Sequence, residues 1–494
     1  MKQYIYILMT LALGVLLGST GCDKLLEEKP KAMINLGELD SVLLEQTIIG
    51  VYEPLTRSRG RLWESRLGLA LELMSEYADG GPSQKSYSDY SNLMNYPNSI
   101  AESWVTIYEA VGKANLLIAS LDNNKSLSDG MKTRASGEAC FIRALCYYNI
   151  VRIWGKAPLR LKPITNSNEV ALPLSDESEI YQAVINDLIR AEGSLPATVP
   201  QAQAGRATSG AAKVMLADVY LTIHDYARAR DKAKEVMDNK AVYGYDLEPG
   251  LATLYSPTLA TNREDVFSLK FSQVVGGGSF WASYWADARA KAAGYSVSGN
   301  KFGGIISKAP LIAGWDDRDL RKQFCLYSTY VINGVVTNAE VDCPNYDLRM
   351  GKYRDPDAPA DTGNGNDFYF YRYADVLLIY AEAENLLDGP DKAYQAINQV
   401  RRRAYGVDIN RSGSIADLPK GLSKTQFDEL VLRERGYEFI GEDKRWFDLV
   451  RKNKVNELIS QVRAVISTPS RKPTPTRYVF GIPDVETENN PLAK

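Results

Sequence analysis

Histidine is almost missing from this chain of 494 residues, which has a single copy, His224. A Ser-His-Asp or Cys-His catalytic arrangement would have to use this one residue, and a metal site with two or more histidine ligands is excluded. His224 stands between two segments of helical pattern, which end near Thr222 and begin again near Tyr226. We therefore interpret it as a turn residue rather than as a catalytic base.

A strong charge of one sign is also lacking. The 58 Lys and Arg residues nearly balance the 61 Asp and Glu residues, which leaves a formal net charge of −3. Such a balance provides no basic surface of the kind that binds nucleic acid. With 45% hydrophobic and 24% charged residues, the composition is that of a globular protein. The length suits one large domain or two to three ordinary ones.

Apolar runs long enough to cross a bilayer, which takes about 20 residues, are missing as well. The apolar run at residues 5–17 is shorter, follows the early cation Lys2, and precedes small residues and Cys22. This order is typical of a cleaved secretory signal, and a cysteine directly after small residues is the acylation site of a lipoprotein. We expect residues 1–21 to be removed and Cys22 to carry the lipid anchor. The alternative is a plain signal peptide followed by a chance cysteine.

The four other cysteines fall into two pairs. Cys140 and Cys146 are six residues apart in one helical pattern, so their side chains diverge and we expect two buried thiols. Cys325 and Cys343 flank a hairpin signal with an Asn-Gly turn at 333–334. Folding about this turn brings the two cysteines nearly opposite each other. Because disulfides persist outside the cytoplasm, we predict a cross-strand disulfide between Cys325 and Cys343.

Helical periodicity dominates the remaining sequence, and the helical segments end at Gly or Pro. Two tight pairs of predicted helices have small residues at their contacts and resemble tetratricopeptide-type hairpins. Such pairs stack, because one pair cannot bury its apolar face alone. The predicted helices cover residues 135–154, 178–195, 211–222, 226–238, 371–387, 391–405, 425–441 and 443–453.

These patterns predict an all-α fold. Its framework is a tetratricopeptide-like solenoid of helical hairpins, to which we add a large irregular, loop-rich region and minor β-hairpins. The irregular stretches are residues 79–99, 274–304 and 355–367. Long non-helical segments in a helical framework are usually functional or disordered, and the aromatic residues in the first two stretches favour a function.

Several short motifs follow one another in a fixed order along the chain. Their order and spacing resemble the SusD/RagB family of outer-membrane nutrient-binding lipoproteins, almost from end to end. The motifs are Cys22-Asp23-Lys24-Leu25-Leu26-Glu27, Trp104 with Tyr108 and Asn115, Glu138-Ala139 with Phe141, Arg143-Ala144 and Tyr147-Tyr148, Arg372-Tyr373-Ala374-Asp375, Tyr380-Ala381-Glu382-Ala383, Glu434-Arg435 with Glu438 and Glu442, and Arg445-Trp446 with Asp448-Leu449.

The resemblance implies a helical fold with four tetratricopeptide-like pairs, an irregular ligand-binding face and no catalysis. It also implies a partner, a SusC-like TonB-dependent outer-membrane transporter over which the protein sits as a lid. The protein would be anchored by lipid in the outer membrane and face the cell exterior. We divide the chain into a signal at 1–21, an N-terminal part at 22–260 and a C-terminal part at 261–494.

The charged residues of these motifs have a structural interpretation. On helices, Glu434, Glu438 and Arg445, or Arg372 and Asp375, can pair with neighbours or with the ends of adjacent helices. We predict an ion-pair network that holds helices together rather than a set of catalytic acids.

A glycan site needs exposed aromatic planes for the apolar faces of sugars, together with a few polar groups that orient the hydroxyls. Two segments, near residues 79–96 and 280–315, supply both, and ligand contacts in the resembling family come from loops in about these regions. The alternative for Trp281 and Trp285, which are four residues apart, is one buried helix face. The predicted ligand contacts are Asp79, Tyr87, Tyr90, Tyr96, Trp281, Tyr284, Trp285 and Trp315.

Other functions are weaker interpretations of the same sequence. A glycosidase needs two carboxylates about 5–10 Å apart, but Asp316, Asp317 and Asp319 stand beside Arg318 and Arg321 and favour a charge-balanced turn. Peptide capture, known for one branch of the resembling family, is the alternative ligand class. A lid with little affinity of its own for ligand is a third interpretation.

Calcium is a minor alternative to a protein without cofactors. Asp355, Asp357, Asp361 and Asn364 have the oxygen-rich spacing of a calcium site, but they lack the EF-hand pattern. An ordinary solvated loop explains these residues better, so we predict no cofactor.

Overall fold

Long helices form the framework of the protein. The computed structural model describes residues 39–493 except for 58–61, 64–65, 92, 95–97, 123, 275, 297 and 360–362. The predicted signal at 1–21 and the lipidation site Cys22 therefore lie outside the described residues. The first helices are α1 Ser41–Thr56, α2 Arg66–Met74, α3 Lys85–Ser88, α4 Asn98–Leu121, α5 Asp129–Trp154, α6 Glu177–Ser194, α7 Ser209–Thr222 and α8 Tyr226–Asp238.

Short helices and strands then alternate before long helices return. Every helix of the described chain is too short or too polar to cross a lipid bilayer. The later helices are α9 Lys240–Tyr243, α10 Leu251–Leu254, α11 Trp281–Trp285, α12 Pro310–Ala313, α13 Leu320–Cys325, α14 Tyr373–Asp388, α15 Tyr394–Ala404, α16 Lys424–Glu438, α17 Arg445–Arg451, α18 Val455–Arg463 and α19 Asp484–Asn489.

The strands pair in small, two-stranded antiparallel sheets. The prediction of a mainly helical fold is confirmed, but most of these strands were missed, because their partners lie far away in the sequence. The pairs are β1 Ala78–Gly80 with β5 Gly303–Ile305, β2 Ala157–Pro158 with β3 Leu174–Ser175, β4 Asp265–Leu269 with β10 Phe368–Arg372, β6 Leu326–Tyr327 with β9 Arg349–Met350, and β7 Thr329–Ile332 with β8 Val335–Asn338.

Local signals in the sequence set the ends of the helices. The Ser128 side chain accepts a hydrogen bond from the Met131 amide and starts α5 six residues before the predicted helix. Gly155, with a φ of +76°, ends the same helix. The helix predicted from residue 371 begins at Tyr373 instead, because the preceding residues belong to β10.

One hydrophobic core runs through both halves of the chain, from Leu39 to Phe480. Helix α5 packs against α4 and α6, α7 packs against α6 and α8, and α14 lies against α8 and α16. His224 is a turn residue between α7 and α8 with a φ of +63°, as predicted. Helical pairs therefore pack in succession, and their tetratricopeptide-like character stays a prediction.

The predicted disulfide between Cys325 and Cys343 was wrong, since both are free thiols. The hairpin forms at the predicted turn, but its ladder stops where Thr329 faces Asn338. Before the hairpin, β6 pairs with β9 rather than with the continuation of β8, so the chain leaves the hairpin on its way to Cys325. Cys325 ends α13, whereas the Cys343 thiol donates to Asp79 Oδ2 at 3.3 Å. Cys140 and Cys146 are buried free thiols, as predicted.

Candidate functional site

The charged residues of the sequence motifs lie in the core. Arg372 is fully buried, and its guanidinium donates to Glu442 Oε2 at 3.0 Å, to Glu438 Oε1 at 2.9 Å and to Glu264. Arg403 pairs with Glu264 and Glu438 from another helix. The predicted ion-pair network between helices is confirmed.

The acids considered for a glycosidase are paired with basic side chains, Asp317 with Lys322 and the other two with arginines. Arg321 holds Asp319 at 2.6 Å, and both side chains are 2% exposed. Asp316 is bound by Arg318 at 2.6 Å, and these hydrogen bonds lower the pKa of the Asp316 carboxyl well below its usual range. A general acid needs a raised pKa, so this turn lacks the chemistry of a glycosidase.

The core carboxylate of Glu442 is ionised as well. Burial by itself raises the pKa of Glu442, but the charges of Arg372, Lys352 and Lys444 outweigh that effect and lower the pKa to about 2. Lys352 donates to Glu442 Oε1 at 2.5 Å. The Glu442 carboxylate therefore stabilises the packing of helices and has no proton to give at neutral pH.

The two loop segments predicted to bind ligand lie side by side. Strands β1 and β5 pair so that Asp79 faces Gly304 and Gly80 faces Gly303. Just beyond this pairing, the Gly81 amide donates to the Phe302 carbonyl at 2.8 Å. We call the surface built on this pairing the loop face, and it comprises residues 78–91, 280–296, 298–306, 340–347 and 468–473.

Glycine permits the close approach of backbone and ring at this face. A Cβ atom at Gly304 would overlap the ring of Tyr346, and one at Gly303 would lie 2.8 Å from Leu73 Cδ2. Because glycine has no Cβ, β5 fits between β1 and the Tyr346 ring. Gly304 is therefore a requirement of this packing.

Asp79 joins three segments of the loop face. Its carboxylate is buried and accepts hydrogen bonds from Asn345 Nδ2 at 2.8 Å and Arg471 Nε at 3.1 Å, besides the Cys343 thiol. Arg471 also donates to the Gly80 carbonyl, and 12% of its side chain is exposed. The predicted ligand contact Asp79 is thus an anchor that positions Arg471 at the surface.

The prediction that the tryptophans form an exposed platform was wrong. Trp281, Trp285 and Trp315 are 1%, 0% and 2% exposed. Trp281 and Trp285 pack edge to face with ring centroids 5.6 Å apart. They therefore form the buried helix face that the sequence offered as the alternative. Trp281 Nε1 donates to the Gly441 carbonyl at 3.0 Å, and Trp315 stacks on Tyr437 with centroids 4.6 Å apart. Their covering residues come from distant parts of the chain.

The predicted tyrosines are also buried. Tyr87, Tyr90 and Tyr284 are all less than a tenth exposed. The Tyr90 hydroxyl donates to the Met74 carbonyl at 2.9 Å, so it holds the loop instead of a ligand. Tyr96, the remaining predicted contact, lies outside the described residues.

The side chains that the loop face does present were not predicted from the sequence. Phe302 is partly exposed, and the Arg66 guanidinium lies 4.3 Å from its ring centroid. The neighbouring Lys301 has a φ of +53° and reaches Glu340 at 2.8 Å. Glycines mark a close approach of backbones in strands, so the Gly303-Gly304 pair was a signal that could have drawn attention to them.

In the loop considered for calcium, both carboxylate oxygens of Asp355 are used internally. Asp355 accepts hydrogen bonds from Gln273 Nε2 and from the Gly365 amide, both at 2.8 Å. Asn364 Nδ2 donates to the Tyr353 carbonyl at 3.0 Å, and Asp361 lies outside the described residues. Across the described chain, no three Cys, His, Asp or Glu side chains gather as a metal site would need.

Two family models match this chain and together cover most of it. The SusD family model matches residues 284–491. A model described as starch-binding and associating with the outer membrane matches residues 24–221. The chain belongs to the SusD/RagB family. This family consists of binding proteins without catalytic activity, and the chain is one of them.

Relatives of this SusD/RagB protein match over nearly their whole length. A SusD-like protein from Formosa agariphila is 26% identical over 95% of this chain and 94% of its own. A solved laminarin-binding SusD-like protein has a TM-score of 0.75 at 22% identity and covers 91% of this chain and 98% of that one. Surface glycan-binding protein A from Bacteroides thetaiotaomicron, solved in complex with laminarihexaose, has a TM-score of 0.75 at 18% identity, with coverage of 91% and 98%. These structures share the SusD-like fold.

Proposed function

We propose that this protein captures oligosaccharides or polysaccharides at the cell surface and delivers them to a SusC-like, TonB-dependent transporter of the outer membrane. The lipid on Cys22 would anchor it to the outer membrane, facing the exterior. The observation that carries the proposal is the pairing of β1 with β5, which joins both predicted ligand segments into one face. The match to a starch-binding family model and the fold shared with laminarin-binding proteins support a glycan as the ligand.

The chemistry of the loop face suits a sugar. The partly exposed ring of Phe302 offers apolar surface to the C–H face of a pyranose, beside the Arg66 guanidinium that lies over it. The guanidinium groups of Arg66 and Arg471 can each donate several hydrogen bonds to hydroxyls. Arg471 donates to the Gly80 carbonyl, and the Phe302 carbonyl accepts a hydrogen bond from the Gly81 amide. Both residues therefore lie beside Gly80 and Gly81. We propose Phe302, Arg66 and Arg471 as ligand contacts.

The helical framework has the role of a rigid support in this proposal. The packed helices α4 to α8 and α14 to α16 would form tetratricopeptide-like pairs that hold the loop face in place. Asp79 then fixes Arg471 relative to the backbone of β1. A preorganised face of this kind loses little conformational entropy when it binds ligand.

The test is affinity electrophoresis of the soluble chain starting at Asp23 in gels that contain laminarin, starch or other polysaccharides. Phe302→Ala is expected to weaken retardation by about tenfold or more, because an aromatic side chain contributes about 1.5–3 kcal/mol when its surface is buried. The matched control is Phe324→Ala, which truncates another partly exposed ring, one that packs on Tyr255 instead of lying on the loop face.

Equal retardation of both variants would contradict the proposed site. Binding of a peptide mixture without retardation by any polysaccharide would contradict the glycan and favour peptide capture. Loss of nutrient import after deletion of the chain, but not after Phe302→Ala, would favour a lid whose essential surface faces the transporter.

A further inference from the structure

A groove bounded by α12, α16 and α18 lies apart from the loop face. Its volume is about 320 Å³, at the lower end of the range of about 300–1,000 Å³ for small-molecule sites. We infer that this groove is a second carbohydrate site, which takes one neutral sugar unit of a glycan. The inference shares its ligand chemistry with the proposed function but stands on different residues.

The floor of the groove is a buried ion pair. Glu76 and Arg445 both line the groove, and Arg445 Nε lies 2.9 Å from Glu76 Oε1. Arg445 also donates to the Leu432 carbonyl at 2.7 Å. Both side chains are less than a twentieth exposed, so the floor is fixed by its own bonds and keeps its shape when the groove is empty.

Tyr437 is an aromatic residue of the groove lining, and most of its ring is covered. Its ring stacks on Trp315 with an interplanar angle of 12°, which fixes the orientation of the ring. The residue is 6% exposed, and burial raises the pKa of the hydroxyl to about 12. Tyr437 lines the groove, and its hydroxyl makes no hydrogen bond within the described chain. An unpaired polar group at such a buried position gains from a ligand that supplies the partner.

The rim adds polar groups to apolar walls. Leu311, Leu432 and Leu458 line the groove beside Tyr437. Arg433 and Gln461 stand at its exposed edge, and neither makes an ion pair or hydrogen bond within the described residues. A pyranose combines apolar C–H faces with hydroxyls that both donate and accept, and this lining complements both features.

The charges of the lining favour a neutral ligand. Three cations and three carboxylates line the groove, so neither sign dominates. Glu76 is neutralised by Arg445, and Lys454 is bound to Glu457 at 2.6 Å. An acidic or basic ligand would therefore meet no net opposite charge, whereas an uncharged sugar pays no such penalty.

The groove is separate from the loop face, although both adjoin the same segment. Glu76 faces the groove, whereas Asp79 lies under the loop face three residues later. Two sites on one chain would hold a long polysaccharide more tightly than either site alone, since the second contact becomes intramolecular.

The experiment is calorimetric titration of the soluble chain starting at Asp23 with laminarihexaose and with maltohexaose. Tyr437→Phe removes only a hydroxyl without a protein partner, so thermal stability is expected to stay unchanged while the second site weakens by about two- to tenfold. Gln461→Trp fills the groove from its exposed edge and is expected to remove that site. The matched control is Tyr181→Phe, which removes a hydroxyl on α6, far from the groove in sequence, that also has no hydrogen bond within the described chain.

Each outcome decides between the two sites. Two sites in the wild type, of which Gln461→Trp removes one and Phe302→Ala the other, would support the inference. A single site that Phe302→Ala removes and Gln461→Trp leaves intact would overturn it and leave the proposed function standing. A single site removed only by Gln461→Trp would support the groove and overturn the proposed loop-face contacts. Absence of any sugar bound in the groove at millimolar concentrations of both probes would also overturn it.

Discussion

Glu442 illustrates how single residues of the family motifs act in this protein. Its carboxylate is fully buried and faces Arg372 and Lys352. Removal of one partner from a buried ion pair leaves an uncompensated charge, which is more costly than the pair itself is stabilising. The stability of the helical core therefore depends on individual charged side chains that have no part in binding ligand.

We predict that Glu442→Gln lowers the free energy of unfolding at pH 7 by about 3–5 kcal/mol. The folded pKa of Glu442 is about 2, below its ordinary value of 4.5. Its contribution is therefore complete above pH 4.5 and is lost as the pH falls from 4.5 towards 2. Urea unfolding followed by circular dichroism at steps from pH 7 to pH 2 should show the two proteins converge at the acid end.

The control is Asp238→Asn, which breaks the exposed pair with Lys234. Exposed pairs contribute about 0–1 kcal/mol, so this variant should resemble the wild type at every pH. A difference between Glu442→Gln and the wild type that stays constant down to pH 2 would contradict the assigned pKa.

At the scale of elements, the β7–β8 hairpin shows that local sequence sets a turn, whereas pairing with a more distant strand sets where the hairpin ends. The Asn333-Gly334 turn has positive φ at both residues, as a two-residue hairpin requires. The turn therefore forms from local sequence alone. The continuation of the hairpin competes with the pairing of β6 to β9, and this pairing takes Cys325 away from Cys343.

We predict that the soluble chain starting at Asp23 has four free thiols, Cys140, Cys146, Cys325 and Cys343. Titration with a thiol reagent in denaturant without reductant should give four per chain. Burial raises the pKa of both Cys325 and Cys343 to about 11, so they should react slowly in the native state.

Cys343→Ser distinguishes the alternatives for that pair. If both thiols are free, the count falls from four to three. If Cys325 and Cys343 form a disulfide, the wild type gives two and the variant gives three, which would contradict the structure.

At the scale of the whole molecule, contacts cross the predicted boundary between residues 260 and 261. Arg445 pairs with Glu76, and the Asp443 amide donates to Glu72 Oε1 at 2.7 Å. Lys472 is fully buried and donates to the Leu73 and Ser75 carbonyls. Burial lowers the pKa of Lys472 to about 8. The N-terminal and C-terminal parts thus share their core.

We predict that the chain from residue 23 unfolds in one cooperative transition and that neither residues 23–260 nor residues 261–494 fold alone. Each fragment would expose the apolar surface that it buries against the other. Denaturant unfolding followed by circular dichroism and by tryptophan fluorescence should coincide for the whole chain. A cooperative transition of either fragment alone, or two transitions of the whole chain, would contradict this prediction.

The sequence alone determined the helical framework and the family. Periodicity and capping are local, so α5 to α8 and α14 to α17 lie within about six residues of their predicted bounds. The ion-pair network was also predictable, because charged residues on apolar helices must find partners. Arg372 and Glu438 meet this expectation.

Only the tertiary structure decided which side chains face solvent at the loop face and which strands pair. Trp281 is covered by the chain around Gly441, and Trp315 by Tyr437, more than 100 residues away in each case. A sequence pattern shows that a face is apolar, but burial depends on the residues that cover it. Those residues are brought there by pairings such as β1 with β5, whose partners are too far apart for a local signal.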